Sequence, residues 1–256
     1  MTRPIGYFVH HQGRGHAERC AAVVNALPAS QPVTVFCAKP DIFPAFTRQV
    51  EVIALPSLFG PNGAEDINDT TTAPDTVHCA PLGWPGIRHA MAQLTGWFAS
   101  ANPVLMISDV SAEVAQLARI CSVPHVKVLQ HGRRSDPGHQ AAYDGAVGLL
   151  CPGAKALAQP DWPARHMEKT HFAGGLGVDV KRPDPARRAM LREKLGVGPK
   201  QRMVLVMSGG GGTGFASAPF GIAARAMPDT AFITIGQMAR DWHATDRKST
   251  RLNSSH

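Results

Sequence analysis

No apolar run in this chain is longer than a strand. Met203 to Met207 and Val147 to Cys151 are among the longest, and both fall far short of the roughly 20 residues that a membrane-spanning helix needs. The N-terminal stretch MTRPIGYFVHH carries a single Arg and too little apolar sequence to read as a signal peptide. Cysteine is sparse: Cys20, Cys37, Cys79, Cys121 and Cys151 are odd in number and widely scattered, which argues against a disulfide framework and points to the cytoplasm. No two of them form CxxC, and no HExxH occurs, so spacing supports neither a structural zinc site nor a zincin. All five read as small buried hydrophobes.

A strong charge of one sign is missing as well. The formal balance is +7, but the last ten residues, RKSTRLNSSH, hold three Arg or Lys and no acid; without them 23 basic residues face 19 acidic ones. Nucleic-acid binding would want a basic stripe interleaved with aromatics. The locally basic ARRAMLREK near residue 190 is better explained as a solvated helix face, so no nucleic-acid partner is expected, and what remains is a weak attraction to an anionic membrane surface. The tail has no periodicity, cap or strand pattern, and residues 247–256 read as a non-native extension outside the fold.

What is present is an alternation of short apolar strands with amphipathic helices. Strands are expected at Gly6 to His10, Val33 to Cys37, Val50 to Ala54, Val104 to Ser108, His125 to Leu129 and Val147 to Cys151, a parallel α/β signature. Between them, Ile87, Met91, Leu94, Trp97 and Phe98 share one helix face and read as core. Residues 56–86, rich in Pro, Gly, Asp and Thr, form a long aperiodic segment that suits a loop covering an acceptor. A second unit starts near residue 180: Asp184 caps, Pro185 opens and Gly196 ends a helix, and MVLVM then reads as a buried strand running into SGGGGTGF. The expected organisation is residues 1–178, 179–246 and the tail, with the second domain incomplete.

The chemistry concentrates at two glycine turns. In GYFVHHQGRGHAERCAAVVNAL, residues 6–27, an apolar strand meets a broken turn and then a helix expected to start at Ala17. Gly13 and Gly15 are present, but Glu18 stands where the dinucleotide fingerprint wants its third glycine, which disfavours NAD. At the second turn Gly209 and Gly214 have P-loop spacing, but Phe215 and Ala216 replace the Lys and Ser or Thr, which disfavours ATP hydrolysis. Ser208 with Gly209, Gly210, Gly211 and Gly212 is left as a side-chain-free turn fit to cradle a diphosphate without metal.

His16 lies at the carboxyl end of the first strand, where open parallel sheets bind ligands, and imidazole titrates near neutrality as a general base must. Asp109 follows another strand at the same edge. It is either the group that holds the His16 tautomer or the N-cap of the helix SAEVAQLARIC. His131, after a third strand, either binds acceptor or closes a turn, and Arg14 and Arg19 either contact anionic groups or face solvent.

The GxGH turn followed by a second unit opening on SGGGGTG resembles the GT-B glycosyltransferases, most of all the MurG-like group. The resemblance spans roughly residues 5 to 240, and only the two glycine turns in it are specific. It implies two Rossmann-like domains, the second C-terminally truncated here, and inverting transfer of N-acetylglucosamine or another hexose from a UDP-sugar to an acceptor hydroxyl. No cofactor and no essential metal are implied. Carried over, His16 is the base region of the acceptor domain, and Ser208 and Gly209 to Gly212 hold the donor diphosphate. From the residues themselves, Asp109 is the expected partner of His16, and Gly13, Arg14, Gly15 and His131 are the expected contacts of a lipid-linked or small-molecule acceptor. A peripheral contact with the inner membrane face would follow from a lipid-linked acceptor. The turn QGRGH departs from the family's glycine and threonine run, and its nucleotide-recognising segment would lie beyond residue 240. Two rivals are a UDP-sugar 2-epimerase of the same fold and a non-catalytic nucleotide-sugar-binding module.

Overall fold

The computed structural model describes residues 2–58, 74–177, 184–207, 215–216, 218–236 and 238–239. The chain divides into two compact units, Met1–Val178 and Asp179–His256. The segment 59–73, the glycine run 208–212 and the tail 247–256 lie outside the described residues.

The first unit is built on seven parallel strands: β1 (Ile5–Val9), β2 (Val33–Cys37), β3 (Glu51–Ala54), β4 (Leu105–Ser108), β5 (His125–Val128), β6 (Gly148–Cys151) and β7 (Thr170–Phe172). Their order in the sheet is β3-β2-β1-β4-β5-β6-β7. Parallel strands need helical crossovers, supplied mainly by α1 (Arg14–Ala26), α2 (Pro85–Ala101), α3 (Ala112–Ile120), α4 (Pro137–Gly145) and the short α5 (Ala164–Met167). From β1 the chain proceeds outward through β2 to β3, and from β4 outward the other way, so the crevice of this doubly wound sheet opens between β1 and β4.

Strand residues alternate between two cores, as the pleat demands. Tyr7, Val9, Val33, Val35 and Ile107 pack with Cys20 and Val24 of α1 on one face. Phe8, Phe36 and Met106 pack with Ala90, Leu94 and Phe98 of α2 and Val114 and Ala118 of α3 on the other. Because both faces are covered, β1 and β2 are buried at every position. Trp97 belongs to this second core, edge-on to Phe36 with ring centroids 5.0 Å apart. A Cβ on Gly6 would lie 2.9 Å from the Trp97 ring and 2.6 Å from the Met106 sulfur, so the bare backbone of β1 is what seats the indole.

Six strands fall within a residue of their expected positions. β7 was not expected: THF carries one apolar residue in three, at the edge of the sheet where little apolar surface has to be covered. α1 starts at Arg14 and not at Ala17, because Gly13 adopts φ 86° and serves as the N-cap. Three of the five free cysteines, Cys20, Cys37 and Cys151, are buried, while Cys79 and Cys121 are only partly so.

In the second unit α6 (Pro185–Lys194) begins at Asp184, whose carboxylate accepts the N–H groups of Ala186 and Arg187. It is followed by β8 (Arg202–Met207), β9 (Phe215–Ala216), α7 (Ala218–Ala226), β10 (Thr230–Ile235) and β11 (Met238–Ala239). β8 pairs in parallel with β10. The expectation of a buried strand fails at β8: Met203, Val204, Leu205 and Met207 are all exposed, because β8 has one neighbour in a two-stranded sheet.

Gly6→Ala is expected to destabilise the first unit by about 1–3 kcal/mol through overpacking against Trp97 and Met106, measured by urea denaturation.

Candidate active site

The site stands at the carboxyl edge of β1 and β4. Register pairs Phe8 with Ser108, so the two chains leave the sheet side by side, and the Asp109 N–H still donates to the Phe8 carbonyl at 3.1 Å. Beyond β1, the Gly13 cap starts α1 in time to place His16 and Arg19 on the helix face that overhangs Asp109. The three-residue spacing brings both side chains to one side.

Asp109 has no exposed surface, and a buried carboxylate must be paired. Arg19 pairs it twice on Oδ1, from Nη2 at 2.6 Å and from Nε at 3.1 Å. His16 Nδ1 lies 3.1 Å from Oδ2. Arg19 Nη2 is also 2.8 Å from His16 Nδ1, so two tautomers compete. If Nδ1 accepted from Arg19, Oδ2 would lose its donor among the described residues, at a cost of about 1–3 kcal/mol for a buried acceptor, while Arg19 already has Oδ1. The Nδ1–H tautomer is the one that gives both Asp109 oxygens a donor, and it leaves the Nε2 lone pair on a ring whose side chain is 24% exposed. That is the form in which an imidazole can take a proton from a substrate.

Two buried groups hold the turn that carries Asp109. Lys127 of β5, fully buried, directs Nζ to the carbonyls of Ser108, Asp109 and Val110. Burial pushes its ammonium down to about 7. Glu113, in the first turn of α3, accepts the Ser111 hydroxyl at 2.9 Å and the main-chain N–H groups of His78 and Cys79 at 2.8 and 2.7 Å. The N-cap of α3 is Ser111, whose hydroxyl accepts from the Val114 N–H; the capping alternative for Asp109 is thereby overturned, leaving its carboxylate to the site.

His10 closes the near side. Its ring centroid is 5.6 Å from that of His16, and its Nδ1 accepts the Gln12 N–H at 2.9 Å. Burial, reinforced by His16 and His11, pushes His10 down to about 4, so it stays neutral beside His16.

The other expected residues are distributed differently. A Cβ at Gly13 or Gly15 would meet nothing within 4 Å, so the turn offers open main chain next to His16. Arg14 lies on the surface in an i,i+4 ion pair with Glu18 at 3.2 Å. His131 donates Nε2–H to the Leu157 carbonyl at 2.9 Å and packs on Trp162 with ring centroids 5.0 Å apart, contacts that close a turn. Ser208 and Gly209 to Gly212 lie outside the described residues. Lys127, Glu113 and His10 were not singled out as parts of the site by sequence reasoning. Of the two readings open for Arg19, an anionic contact is the one found, and the anion is the Asp109 carboxylate. Gly177 is a further support: with φ 81° and a would-be Cβ 2.9 Å from the Arg19 N, it lets the chain after β7 lie against α1.

No family model and no curated protein matches the chain. Solved structures do resemble it. A UGT transferase from Siraitia grosvenorii in complex with UDP aligns at 13% identity and a TM-score of 0.57, covering 95% of this chain and 66% of that one. A UDP-glucosyltransferase from Polygonum tinctorium capable of glucosylating indoxyl aligns at 12% identity and TM-score 0.56, covering 91% and 66%. An Arabidopsis thaliana UGT complexed with UDP-L-rhamnose aligns at 15% identity and TM-score 0.54, covering 94% and 67%. The chain thus spans about two thirds of the length of these structures. At these identities the likeness establishes the fold: a mixed α/β, Rossmann-like architecture of the GT-B glycosyltransferase type.

Two outcomes are expected from the buried groups. Because His10 titrates near 4 when folded and near 6.5 when unfolded, the unfolded chain takes the proton first. Stability linked to His10 is intact above about 6.5 and lost as pH falls toward 4; His10→Gln should flatten that part of the melting-temperature profile. Lys127→Met leaves the carbonyls of Ser108 to Val110 without their donor and should destabilise by about 1–3 kcal/mol in urea denaturation.

Proposed function

We propose that this protein transfers a sugar from a UDP-sugar donor to the hydroxyl of a small-molecule acceptor, inverting the anomeric centre, with His16 as general base. The carrying observation is the His16–Asp109 contact of 3.1 Å at the crevice of a doubly wound sheet, with the carboxylate buried and the imidazole partly exposed.

In this reading His16 Nε2 takes the proton of the acceptor hydroxyl as its oxygen attacks the anomeric carbon, and the bond to the diphosphate oxygen breaks on the opposite face of the sugar. Asp109 stabilises the imidazolium that forms, and Arg19, donating twice to Oδ1, keeps the carboxylate aimed. The departing diphosphate goes to Ser208 and Gly209 to Gly212, whose main-chain N–H groups would neutralise it. Open main chain at Gly13 and Gly15 leaves room for the acceptor beside the base.

The donor class is supported by the neighbours, which were solved with UDP or UDP-sugars. A small-molecule acceptor is preferred over the lipid-linked one of the MurG-like group, since neighbours were solved with pterostilbene and with quercetin. No helix among the described residues is long and apolar enough to cross a membrane.

UDP release from UDP-glucose should be measured in the gene's complete product with a panel of phenolic acceptors. His16→Ala and Asp109→Asn are each expected to lower kcat by about 10²- to 10⁴-fold with the fold intact by circular dichroism. Unchanged turnover in His16→Ala would remove the base assignment, and conversion of UDP-sugar to its epimer without acceptor would replace transfer by epimerisation. Arg19→Gln should shift the pH profile of kcat more than it changes the KM for donor, since Arg19 acts through Asp109; an unshifted profile with only KM raised would make Arg19 a substrate contact instead.

A further inference from the structure

A second group of ligating side chains lies where the first turn of α4 meets the chain around His78. Asp136 is the N-cap of α4: Oδ1 accepts the His139 N–H at 3.1 Å, and Oδ2 accepts from His139 Nδ1 at 2.7 Å. His78 approaches from the other segment, its Nδ1 3.7 Å from Asp136 Oδ1 and its ring centroid 4.2 Å from that of His139. One ligand atom from each of the three residues falls within 4.8 Å of the others. We propose that His78, Asp136 and His139 form a binding site for one divalent transition-metal cation of the zinc class, held by two imidazole nitrogens and one carboxylate oxygen.

The spacing supports a shared ion better than a direct contact. At 3.7 Å, His78 and Asp136 are too far apart to hydrogen bond. Two atoms bound to one tetrahedral ion at about 2.0–2.2 Å stand roughly 3.3 Å apart; here His78 Nδ1 lies 3.7 Å from Asp136 Oδ1, His139 Nδ1 lies 2.7 Å from Oδ2, and the three ligand atoms fall within 4.8 Å of one another, so a small turn of the carboxylate and of His78 completes the shell. Half-exposed His78 is the ligand with room to move, whereas His139 is only 4% exposed and fixed by its helix.

The two segments are joined without any help from the imidazoles. Glu113 accepts the main-chain N–H groups of His78 and Cys79, Gln116 Nε2 donates to the carbonyls of both Thr76 and Gly138, and a Cβ on Gly138 would come 2.8 Å from the His78 N. Main-chain packing and two α3 side chains therefore set the approach, and the convergence of the histidine rings is not needed for it. Sites prepared in this way, with ligands on separately supported elements, need little reorganisation to bind.

The donor set selects the ion. Imidazole nitrogen with one carboxylate suits Zn²⁺, Co²⁺, Ni²⁺ or Cu²⁺, whereas Mg²⁺ and Ca²⁺ want oxygen throughout. A metal bound at His139 Nδ1 takes the place of the hydrogen now donated to Asp136, with the ring proton carried on Nε2. Three protein ligands leave one position of a tetrahedral shell to water, and the bound ion would tie the chain around His78 to α4.

Untagged protein, stripped with chelator, should be titrated with Co²⁺ and read by visible absorption. The expected result is uptake of one equivalent with tetrahedral d–d bands, no thiolate charge-transfer band, displacement by Zn²⁺ and a raised melting temperature on adding Zn²⁺. His78→Ala leaves the main-chain bond to Glu113 in place, and Asp136→Asn can still cap α4; each should bind about tenfold or more weakly with an unchanged circular dichroism spectrum. Lack of stoichiometric uptake by the parent protein, equal affinity in both variants, or a thiolate band would overturn the site.

Discussion

One buried negative charge organises this sheet edge. Asp109 has no exposed surface at the point where β1 and β4 diverge, and a carboxylate there is tolerable only if its oxygens are matched by donors. Arg19 and His16 supply them, from a helix that begins at Gly13. The pairing has a chemical consequence: Arg19 occupies one oxygen and the other is left to His16 Nδ1, which turns Nε2 away from the carboxylate. The orientation of the His16 ring is thus a by-product of neutralising a charge in the crevice.

The turn bearing that charge is held by a second layer of buried polar groups. Lys127 reaches three successive carbonyls from β5, because register sets it beside Ser108. Glu113, a few residues on, collects two main-chain N–H groups from the chain around His78. Buried polar groups of this kind add rigidity only when satisfied, and here each has its partners. The same Glu113 links the His16 edge to the His78, Asp136 and His139 cluster through a single helix, α3. The second unit differs in character: β8 leaves most of its apolar side chains exposed, whereas β1 and β2 are covered on both faces.

The strands were legible because a parallel sheet buried on both faces leaves continuous apolar runs, as at VTVFC and LMIS. β7 was not, since an edge strand of three residues needs no such run. His16 was legible from its place between a strand and a helix, and Asp109 from its place after another strand. The competing reading of Asp109 as a cap could be settled only by seeing which oxygen the Val114 N–H uses, and it uses Ser111. For Arg19 the sequence left an anionic contact and a solvent-facing role both open, and the choice was made only by the carboxylate 90 residues away. The burial expected of β8 rested on composition alone, which carries no information about what packs on a strand.

The sequence by itself determined the alternation of strands and helices and the apolar faces that make a parallel sheet, because these depend on periodicity along the chain. Only the tertiary structure decided that Arg19 and His16 both reach Asp109, that Lys127 and Glu113 are supports, and that His78 meets Asp136 and His139. The reason is distance along the chain: each of those groupings joins residues from separate crossover units, and only strand order and register bring them together.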